Sequence, residues 1–229
     1  MTSPIISFQD FGFQYDAQAE PTLHHINLDI YPRQKILIAG ASGSGKSTIA
    51  SCINGLIPYA YPGKITGKVL VDGKDVAESS VFDLSHTVGT VLQDTDGQFI
   101  GLTVAEDIAF ALENDCVPQE EMKKTVQRVA ELVDIEHHLN HAPHELSGGQ
   151  KQRVSLAGVM VDDVKILLFD EPLANLDPAA GRTTIELIDE IQEKTGAAVI
   201  IIEHRLEDVL WRHVDRVVLM QDGAIVTDL

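Results

Sequence analysis

The segment at residues 40–47 combines the residue types that hold the phosphates of a nucleotide. It spells Gly-Ala-Ser-Gly-Ser-Gly-Lys-Ser and fits the pattern G-x-x-x-x-G-K-[ST]. In this pattern backbone N–H groups surround the phosphates, the lysine contacts the β- and γ-phosphate oxygens, and the last hydroxyl binds Mg²⁺. An apolar run typical of a buried strand precedes the segment, and a predicted helix whose N-terminal dipole would face the phosphates follows it. The predicted nucleotide-binding residues are Gly40, Ala41, Ser42, Gly43, Ser44, Gly45, Lys46, Ser47 and Thr48.

Two acidic residues end a second apolar run and could hold a metal ion and activate water. Residues 166–169 are Ile-Leu-Leu-Phe, and Asp170 and Glu171 follow directly. In an open parallel sheet the ligand lies at the carboxyl ends of the strands, so these carboxylates should lie near the phosphates. We expect Ser47 and Asp170 to hold Mg²⁺, directly or through water. Glu171 is the predicted base that polarises the attacking water, since phosphoryl transfer to water needs little beyond charge neutralisation and an oriented water.

The pentapeptide at residues 146–150, Leu-Ser-Gly-Gly-Gln, resembles the family marker of ATP-binding cassette (ABC) ATPases. Alone it would be an ordinary turn before a helix. Its partner motifs follow in the family's order, and the resemblance extends from Tyr15 to about Val226. It implies that two ATP molecules, with Mg²⁺, are sandwiched between two cassettes and that hydrolysis opens the pair. The residues implied to act on the nucleotide of the other cassette are Ser147, Gly148, Gly149 and Gln150.

The same resemblance gives roles to four residues elsewhere in the chain. It implies that Gln93 meets Mg²⁺ and the attacking water, and that His204 is a switch histidine at the γ-phosphate. Histidine suits that task because one ring nitrogen can donate while the other is oriented. Tyr15 would stack on adenine, although it could instead share a core with two nearby phenylalanines. Asp177 resembles the aspartate that communicates across the dimer, and it also precedes Pro178 as a predicted helix cap.

Strand and helix patterns predict an α/β fold with a parallel sheet at its core. A helix should begin after Asp177 and run to about Lys194, because Gly196 would stop it. The resemblance adds a P-loop NTPase core of RecA-like type, in a single domain at residues 1–229. The apolar runs predicted to be core strands are residues 36–39, 164–169, 198–202 and 217–220.

Two further segments depart from this alternation of core strands and helices. Residues 5–30 contain short alternating runs that predict an N-terminal antiparallel β subdomain, continued by residues 68–71 before a turn. From residue 103 to about 142 the apolar period becomes helical, which predicts a helical subdomain inserted at about residues 97–160.

Histidines at positions 137, 138, 141 and 144 could suggest a metal site, because the first and third are four residues apart. Asn140 and Pro143 interrupt any helix there, and no cysteine or carboxylate completes a ligand set. We therefore expect a solvated, irregular connection. Cys52 and Cys116 are expected to be small core or helix residues.

Composition favours an acidic intracellular protein. The 229 residues are 44% apolar and carry 35 acidic against 17 basic residues, a formal net charge of −18. This charge disfavours nucleic acid as a partner, and the sequence shows no compensating basic patch. No apolar stretch approaches the ~20 residues that cross a bilayer, and the N-terminus lacks a signal-peptide pattern. These features predict a cytoplasmic protein, and the family resemblance implies a peripheral location at the cytoplasmic face of the cell membrane.

Some stretches resemble one branch of the family, the energy-coupling factor (ECF) ATPases of bacterial vitamin and transition-metal uptake. Residues 93–99 and 103–110, followed by Glu-Asn at 113–114, carry this likeness, and residues 202–209 are similar to the N-terminal cassette of tandem ECF ATPases linked to thiamine-precursor uptake. Ala111-Leu112 departs from the Gly-containing pair that is common there. The stop at Leu229, without a C-terminal extension, suggests a shortened chain or one half of a tandem protein.

The resemblance implies an ATPase that powers uptake of a small solute of the vitamin or metal class. Its implied partners are a second cassette, an integral membrane coupling subunit and a substrate-binding membrane subunit. The second cassette would form a homodimer or heterodimer, or be the other half of a tandem chain. A conventional importer ATPase is one alternative, and a non-transport ABC ATPase acting on nucleic acid or ribosomes is another. The acidic residues expected to attract basic helices of the membrane partner are Asp94, Asp96, Glu106, Asp107 and Glu113.

Overall fold

The computed structural model describes residues 3–91, 99–174 and 176–229. Within these ranges the strands are β1 (Ile6–Tyr15), β2 (Leu23–Ile30), β3 (Lys35–Gly40), β4 (Gly63–Val71), β5 (Lys74–Asp75), β6 (Val88–Val91), β7 (Ile166–Asp170), β8 (Ala198–Ile202), β9 (Arg216–Gln221) and β10 (Ala224–Asp228). The α-helices are α1 (Lys46–Ile53), α2 (Leu56–Tyr59), α3 (Val81–Ser85), α4 (Val104–Asn114), α5 (Gln119–Leu132), α6 (Gly148–Val159), α7 (Pro178–Thr195) and α8 (Leu206–Leu210). Short 3-10 turns lie at Val76–Glu78, Glu136–His138 and Pro143–Glu145.

The core sheet has six strands in the order β10-β9-β3-β8-β7-β6. All neighbouring pairs are parallel except β10 with β9, which form an antiparallel hairpin at the edge. Ile38 and Asp170 both lie opposite Ile202, one on each side of β8. The carboxyl ends of β3, β7 and β8 therefore meet at one edge of the sheet. This confirms the predicted parallel α/β core and brings the three chemistry-bearing segments together.

Each face of the core sheet packs on a different layer, because side chains alternate along a strand. Ile36 and Ile38 of β3 belong to one buried cluster, which includes Ile49 of α1 and the aromatic residues of β1. Leu37, between them, belongs to a second cluster with Val154 of α6 and the apolar faces of α4, α5 and α7. Consequently α1 and α6 lie on opposite sides of the sheet.

The predicted antiparallel region is confirmed as a four-stranded sheet in the order β2-β1-β4-β5. The predicted helical region contains α4, α5 and α6, and α4 begins with a capping box formed by Thr103 and Glu106. Helix α7 begins after Asp177 and ends at Thr195, with Gly196 in the left-handed conformation at a φ of 70°, as predicted. The limits of one domain at residues 1–229 and of an insertion at about 97–160 stay predictions.

Cys52 is buried in α1, whereas Cys116 is exposed. Cys116 lies just beyond the C-terminal cap of α4, at a φ of 57°. The expectation that both cysteines are core or helix residues is therefore wrong for Cys116, because Asp115 ends the helix one residue earlier. In the described part of the chain, no helix is both long and apolar enough to cross a bilayer.

Candidate nucleotide site

The phosphate loop, residues 40–47, connects the end of β3 to the start of α1. A side chain at Gly40, whose φ is 154°, would approach the carbonyl oxygen of Met220 to 2.3 Å, so only glycine fits there. Lys46 lies inside the loop, and its Nζ donates to the carbonyl oxygens of Gly40 and Ala41 at 2.9 Å each. The Oγ of Ser44 is buried with no hydrogen-bond partner among the described residues. A confined ammonium and an unpaired hydroxyl at a helix N-terminus fit a bound phosphate group.

Ser47 and Asp170 form the site that suits a divalent cation. The Oγ of Ser47 donates to Oδ1 of Asp170 at 3.3 Å and so joins α1 to the end of β7. Burial is the main cause that raises the pKa of the Asp170 carboxyl, and the carboxylates of Glu171 and Glu203 add to it, whereas the Ser47 hydrogen bond and Lys46 oppose it. A cation would offset this crowding of negative charge. Hydroxyl and carboxylate oxygens are ligands that Mg²⁺ prefers, so these residues fit it.

Glu171 and His204 lie next to each other at the same edge of the sheet. The Nδ1 of His204 is 4.0 Å from Oε2 of Glu171 and 3.1 Å from Oε1 of Glu203. Glu171 adopts a left-handed φ of 50°, which is uncommon for a non-glycine residue, and its N–H donates to the Ile202 carbonyl oxygen at 2.9 Å. Carboxylates face Nδ1 of His204, and its side chain is 54% exposed. The Nε2 atom of this histidine is therefore the one that can contact a ligand.

Glu203 links the loops that carry Glu171 and His204, although the motif analysis did not single it out. This glutamate is 0% exposed, and its carboxylate accepts three backbone N–H groups. Oε2 accepts from Leu173 at 3.2 Å, while Oε1 accepts from His204 at 2.8 Å and from Arg205 at 3.1 Å. One buried carboxylate thus ties the loop after β7 to the loop after β8. The sequence did contain a pattern that could have identified Glu203, because it follows an apolar run just as Asp170 does.

Tyr15 differs from the other aromatic residues of β1. Phe11 and Phe13 are buried, whereas Tyr15 is half-buried and its OH lies 3.2 Å from Oγ1 of Thr48 in α1. Its ring packs edge-on against Phe13 at 4.7 Å and against Tyr61, which the sequence analysis missed, at 6.3 Å between centroids. The phenylalanines therefore serve the core, and Tyr15 lies beside the phosphate-loop helix.

The signature turn, residues 147–150, begins α6 on the other side of the core sheet from α1. Ser147 caps the helix: its Oγ accepts from the Gln150 N–H at 3.4 Å, and Oε1 of Gln150 accepts from the Ser147 N–H at 2.8 Å. An added Cβ at Gly149 would meet nothing within 4 Å, and one at Gly148 only a Leu176 methyl at 3.7 Å. The helix N-terminus at this turn is therefore open to a ligand on its outer side.

Two predicted site residues remain outside these groups. The Oδ1 of Asp177 accepts from the N–H groups of Ala179 and Ala180 at 2.9 and 3.0 Å, which confirms its predicted role as a helix cap. A role for Asp177 across a dimer stays a prediction. Gln93 lies outside the described residues, so its expected contacts with Mg²⁺ and water also stay predictions.

The glycine-rich loop connects the central strand β3 to a helix, and Ser47 at its end contacts the carboxylate that ends β7. This combination defines a P-loop nucleotide-binding protein. The family is narrower: the chain belongs to the ABC transporter family, whose model matches residues 23–174. It is 64% identical over 228 residues to an ABC transporter ATP-binding protein of Enterococcus faecalis, and 63% identical over 224 residues to one of Clostridium perfringens. These matches cover 100% and 98% of this chain but only 40% and 39% of the relatives, so the chain spans about two fifths of their length.

Solved structures agree with this assignment. The structure of cbiO1 from Clostridium perfringens, described as part of the ABC transporter complex cbiONQ, has a TM-score of 0.89 at 31% identity, with 99% of this chain and 88% of that chain covered. The dimeric ATP-binding cassette MJ0796, in a post-hydrolysis state bound to ADP and Pi, has a TM-score of 0.82 at 25% identity, with 98% and 97% covered. The chain is thus an ABC ATPase domain, a class that binds ATP with Mg²⁺.

Proposed function

We propose that this chain binds and hydrolyses ATP to power uptake of a small solute through a membrane transporter. The observation that carries the proposal is the meeting of Lys46, the Ser47–Asp170 pair and the Glu171–His204 pair at one edge of the sheet. These are the groups that hydrolysis of a terminal phosphate requires.

Each group has a distinct task in the proposed reaction. The amides of the phosphate loop and Lys46 hold the β- and γ-phosphates. Mg²⁺, when held by Ser47 and Asp170, neutralises part of the phosphate charge. Glu171 takes a proton from the water that attacks the γ-phosphorus, and the bond to the departing ADP oxygen breaks. The Nδ1 of His204 faces the Glu203 carboxylate at 3.1 Å, so the ring donates from Nε2 to a γ-phosphate oxygen only when both of its nitrogens are protonated.

The proposed working unit contains two cassettes. Lys46 and Ser147 begin helices on opposite faces of the sheet. The open signature turn is therefore suited to a nucleotide held by another cassette rather than by its own phosphate loop. The dimeric post-hydrolysis structure, which covers 98% of this chain, supports such a pairing. Two ATP molecules would lie between the cassettes, and hydrolysis would separate them.

The proposed transporter is of the ECF type, for a solute of the vitamin or metal class. The likeness to cbiO1, which is part of the complex cbiONQ, supports this branch. A conventional importer for another solute is the second candidate. A non-transport protein acting on nucleic acid is disfavoured by the net charge of −18. On this proposal the chain binds a membrane coupling subunit and acts at the cytoplasmic face of the membrane.

The proposed contact with the membrane partner lies around the start of α4. Glu106 and Asp107, which are predicted to attract basic helices, also accept the backbone N–H groups of residues 101–103. Ile100 and Leu102, in the same segment, are 64% and 82% exposed. Glu113 is exposed, while Asp94 and Asp96 lie outside the described residues. The proposed surface is therefore apolar at residues 100 and 102, with negative charge beside it.

The proposal is tested in two assays. Phosphate release at saturating MgATP should be lost with Lys46→Ala, and Glu171→Gln should slow a single turnover by about 10²–10⁴-fold with ATP binding retained. Near-normal turnover in Glu171→Gln would remove that residue from the role. The second assay tests the contact with a membrane partner. It compares which integral membrane proteins co-purify with the whole protein in wild type and in Leu102→Asp. Equal recovery of the same membrane proteins would exclude the proposed surface.

A further inference from the structure

The side chain of Gln150 joins the signature turn to the histidine-containing segment before it. Its Oε1 accepts from the Ser147 N–H at 2.8 Å, and its Nε2 lies 2.9 Å from Nε2 of His138. His138 ends the 3-10 turn Glu136–His138 and is partly buried, and its buried Nδ1 has no hydrogen-bond partner among the described residues. The expectation of a solvated connection is therefore wrong for His138, although it is right for the exposed His137.

The chemistry of the donors fixes the protonation state of His138. The Ser147 N–H can only donate, so the Gln150 atom that faces it must be the amide oxygen. The other end of the amide is an NH₂ group, which also can only donate. The Nε2 of His138 must then accept with its lone pair, and the ring must be neutral with its proton on Nδ1. A ring protonated on Nε2 alone, or on both nitrogens, would place its Nε2–H against the NH₂ group of Gln150, and neither group could accept.

We propose that His138 is a positioning residue for ATP hydrolysis, because it holds Gln150 in the orientation that fixes the signature turn. With Gln150 held, its carbonyl group stays on the Ser147 N–H, and the Ser147 Oγ stays at the cap of α6, where the Gln150 N–H donates to it. The inference rests on the proposed function, in which this turn contacts the nucleotide of a second cassette. His138 itself touches no reacting atom.

Side-chain volume and hydrogen bonding are separated by two variants. His138→Leu fills a similar space without an acceptor, and His138→Gln restores an acceptor oxygen at a similar reach. His137→Leu is the matched control, since its ring is 85% exposed. We expect His138→Leu to lower kcat for MgATP about three- to tenfold, the loss of one hydrogen bond, with ATP affinity unchanged. His138→Gln should stay within about twofold of wild type, and so should His137→Leu.

A double-mutant cycle tests whether the effect passes through Gln150. His138→Leu should cause no further loss in a Gln150→Ala background. Equal activity of His138→Leu and wild type would overturn the proposal, and so would a full additional loss in that background. Thermal unfolding of each variant distinguishes a lost hydrogen bond from a damaged fold. Failure of His138→Gln to recover activity, in a variant that unfolds at the wild-type temperature, would also overturn it.

A spectroscopic measurement tests the inference even if the ATPase assay fails. In histidine-labelled ¹⁵N NMR, His138 of the wild-type chain should be neutral, with the proton on Nδ1 and a bare Nε2. Gln150→Ala should remove this preference. A protonated Nε2 in the wild-type chain would overturn the proposal. Loss of hydrolysis with Lys46→Ala shows separately whether the proposed ATPase function holds, so the two failures are distinguishable.

Discussion

Replacing Glu203 with glutamine tests whether one buried carboxylate holds the two catalytic loops together. Its Oε1 accepts from the N–H groups of His204 and Arg205, and its Oε2 accepts from Leu173. A glutamine can keep its oxygen toward the first two donors. Its NH₂ group would then face the Leu173 N–H, so one bond to a charged acceptor is lost and a buried donor is left unpaired.

The expected cost follows from these bonds. A hydrogen bond to a charged group contributes about 1.5–3 kcal/mol, and an unpaired buried donor costs about 1–3 kcal/mol, so the free energy of unfolding should fall by about 3 kcal/mol. For a domain of this size, that change lowers Tm by about 6–12 °C. The Nδ1 of His204 also loses a charged neighbour at 3.1 Å, so hydrolysis should slow as well.

Thermal and denaturant unfolding measure this effect. Glu207→Gln, which removes an exposed acid from the first turn of α8, is the matched control and should change stability by less than about 0.5 kcal/mol. A Glu203→Gln protein that unfolds within about 2 °C of this control would refute the reasoning. So would a destabilised variant in which the loops kept full activity.

Two further predictions concern the nucleotide site. Tyr15→Ala should weaken ATP binding by about 1–3 kcal/mol, the contribution of base stacking on an aromatic ring. Tyr15→Phe keeps the ring and should lose only the hydrogen bond to Thr48, which contributes about 1 kcal/mol. Equal ATP affinities of Tyr15→Ala and wild type in titration calorimetry would contradict the stacking role. Burial raises the pKa of Asp170 above its ordinary value of 3.8, so the ionised carboxylate destabilises the fold at neutral pH. This cost begins to fall as the pH drops through the raised pKa and is gone below 3.8. Asp170→Asn should therefore raise Tm at about pH 8 in chelator, gain less as the pH approaches 3.8 and lose the stabilisation by MgATP, and a lower Tm throughout this range would contradict the assignment.

Local pattern was enough to predict the residues of the phosphate loop and of β7. Their function depends on a contiguous run of glycines, or on an acid after an apolar strand, and both patterns are visible in a few residues. The cap of α7 was predictable for the same reason, since Asp177 and Pro178 are adjacent. The resemblance to the ABC ATPase family is confirmed by the family model that matches residues 23–174.

Contacts between distant segments could not be predicted in this way. Glu203 bonds to Leu173, which is 30 residues away, and His138 meets Gln150 across the turn Pro143–Glu145. A sequence does not show which side chain fills the last place in such a network. The acids Glu106 and Asp107 show the same limit: their charge predicts a docking surface, which stays a prediction, but it did not show that they accept the N–H groups of Thr103 and Gly101.

We propose that the phosphate loop of one cassette and the signature turn of another form one catalytic site. Lys46→Ala and Ser147→Arg should each abolish hydrolysis when expressed alone. Differently tagged copies of the two variants, isolated as a mixed pair, contain one site with intact Lys46 and intact Ser147. This mixed pair should regain MgATP hydrolysis, up to about half of the wild-type rate, because one of its two sites is intact. A mixed pair that is proven to form and to bind ATP, yet stays inactive, would contradict it.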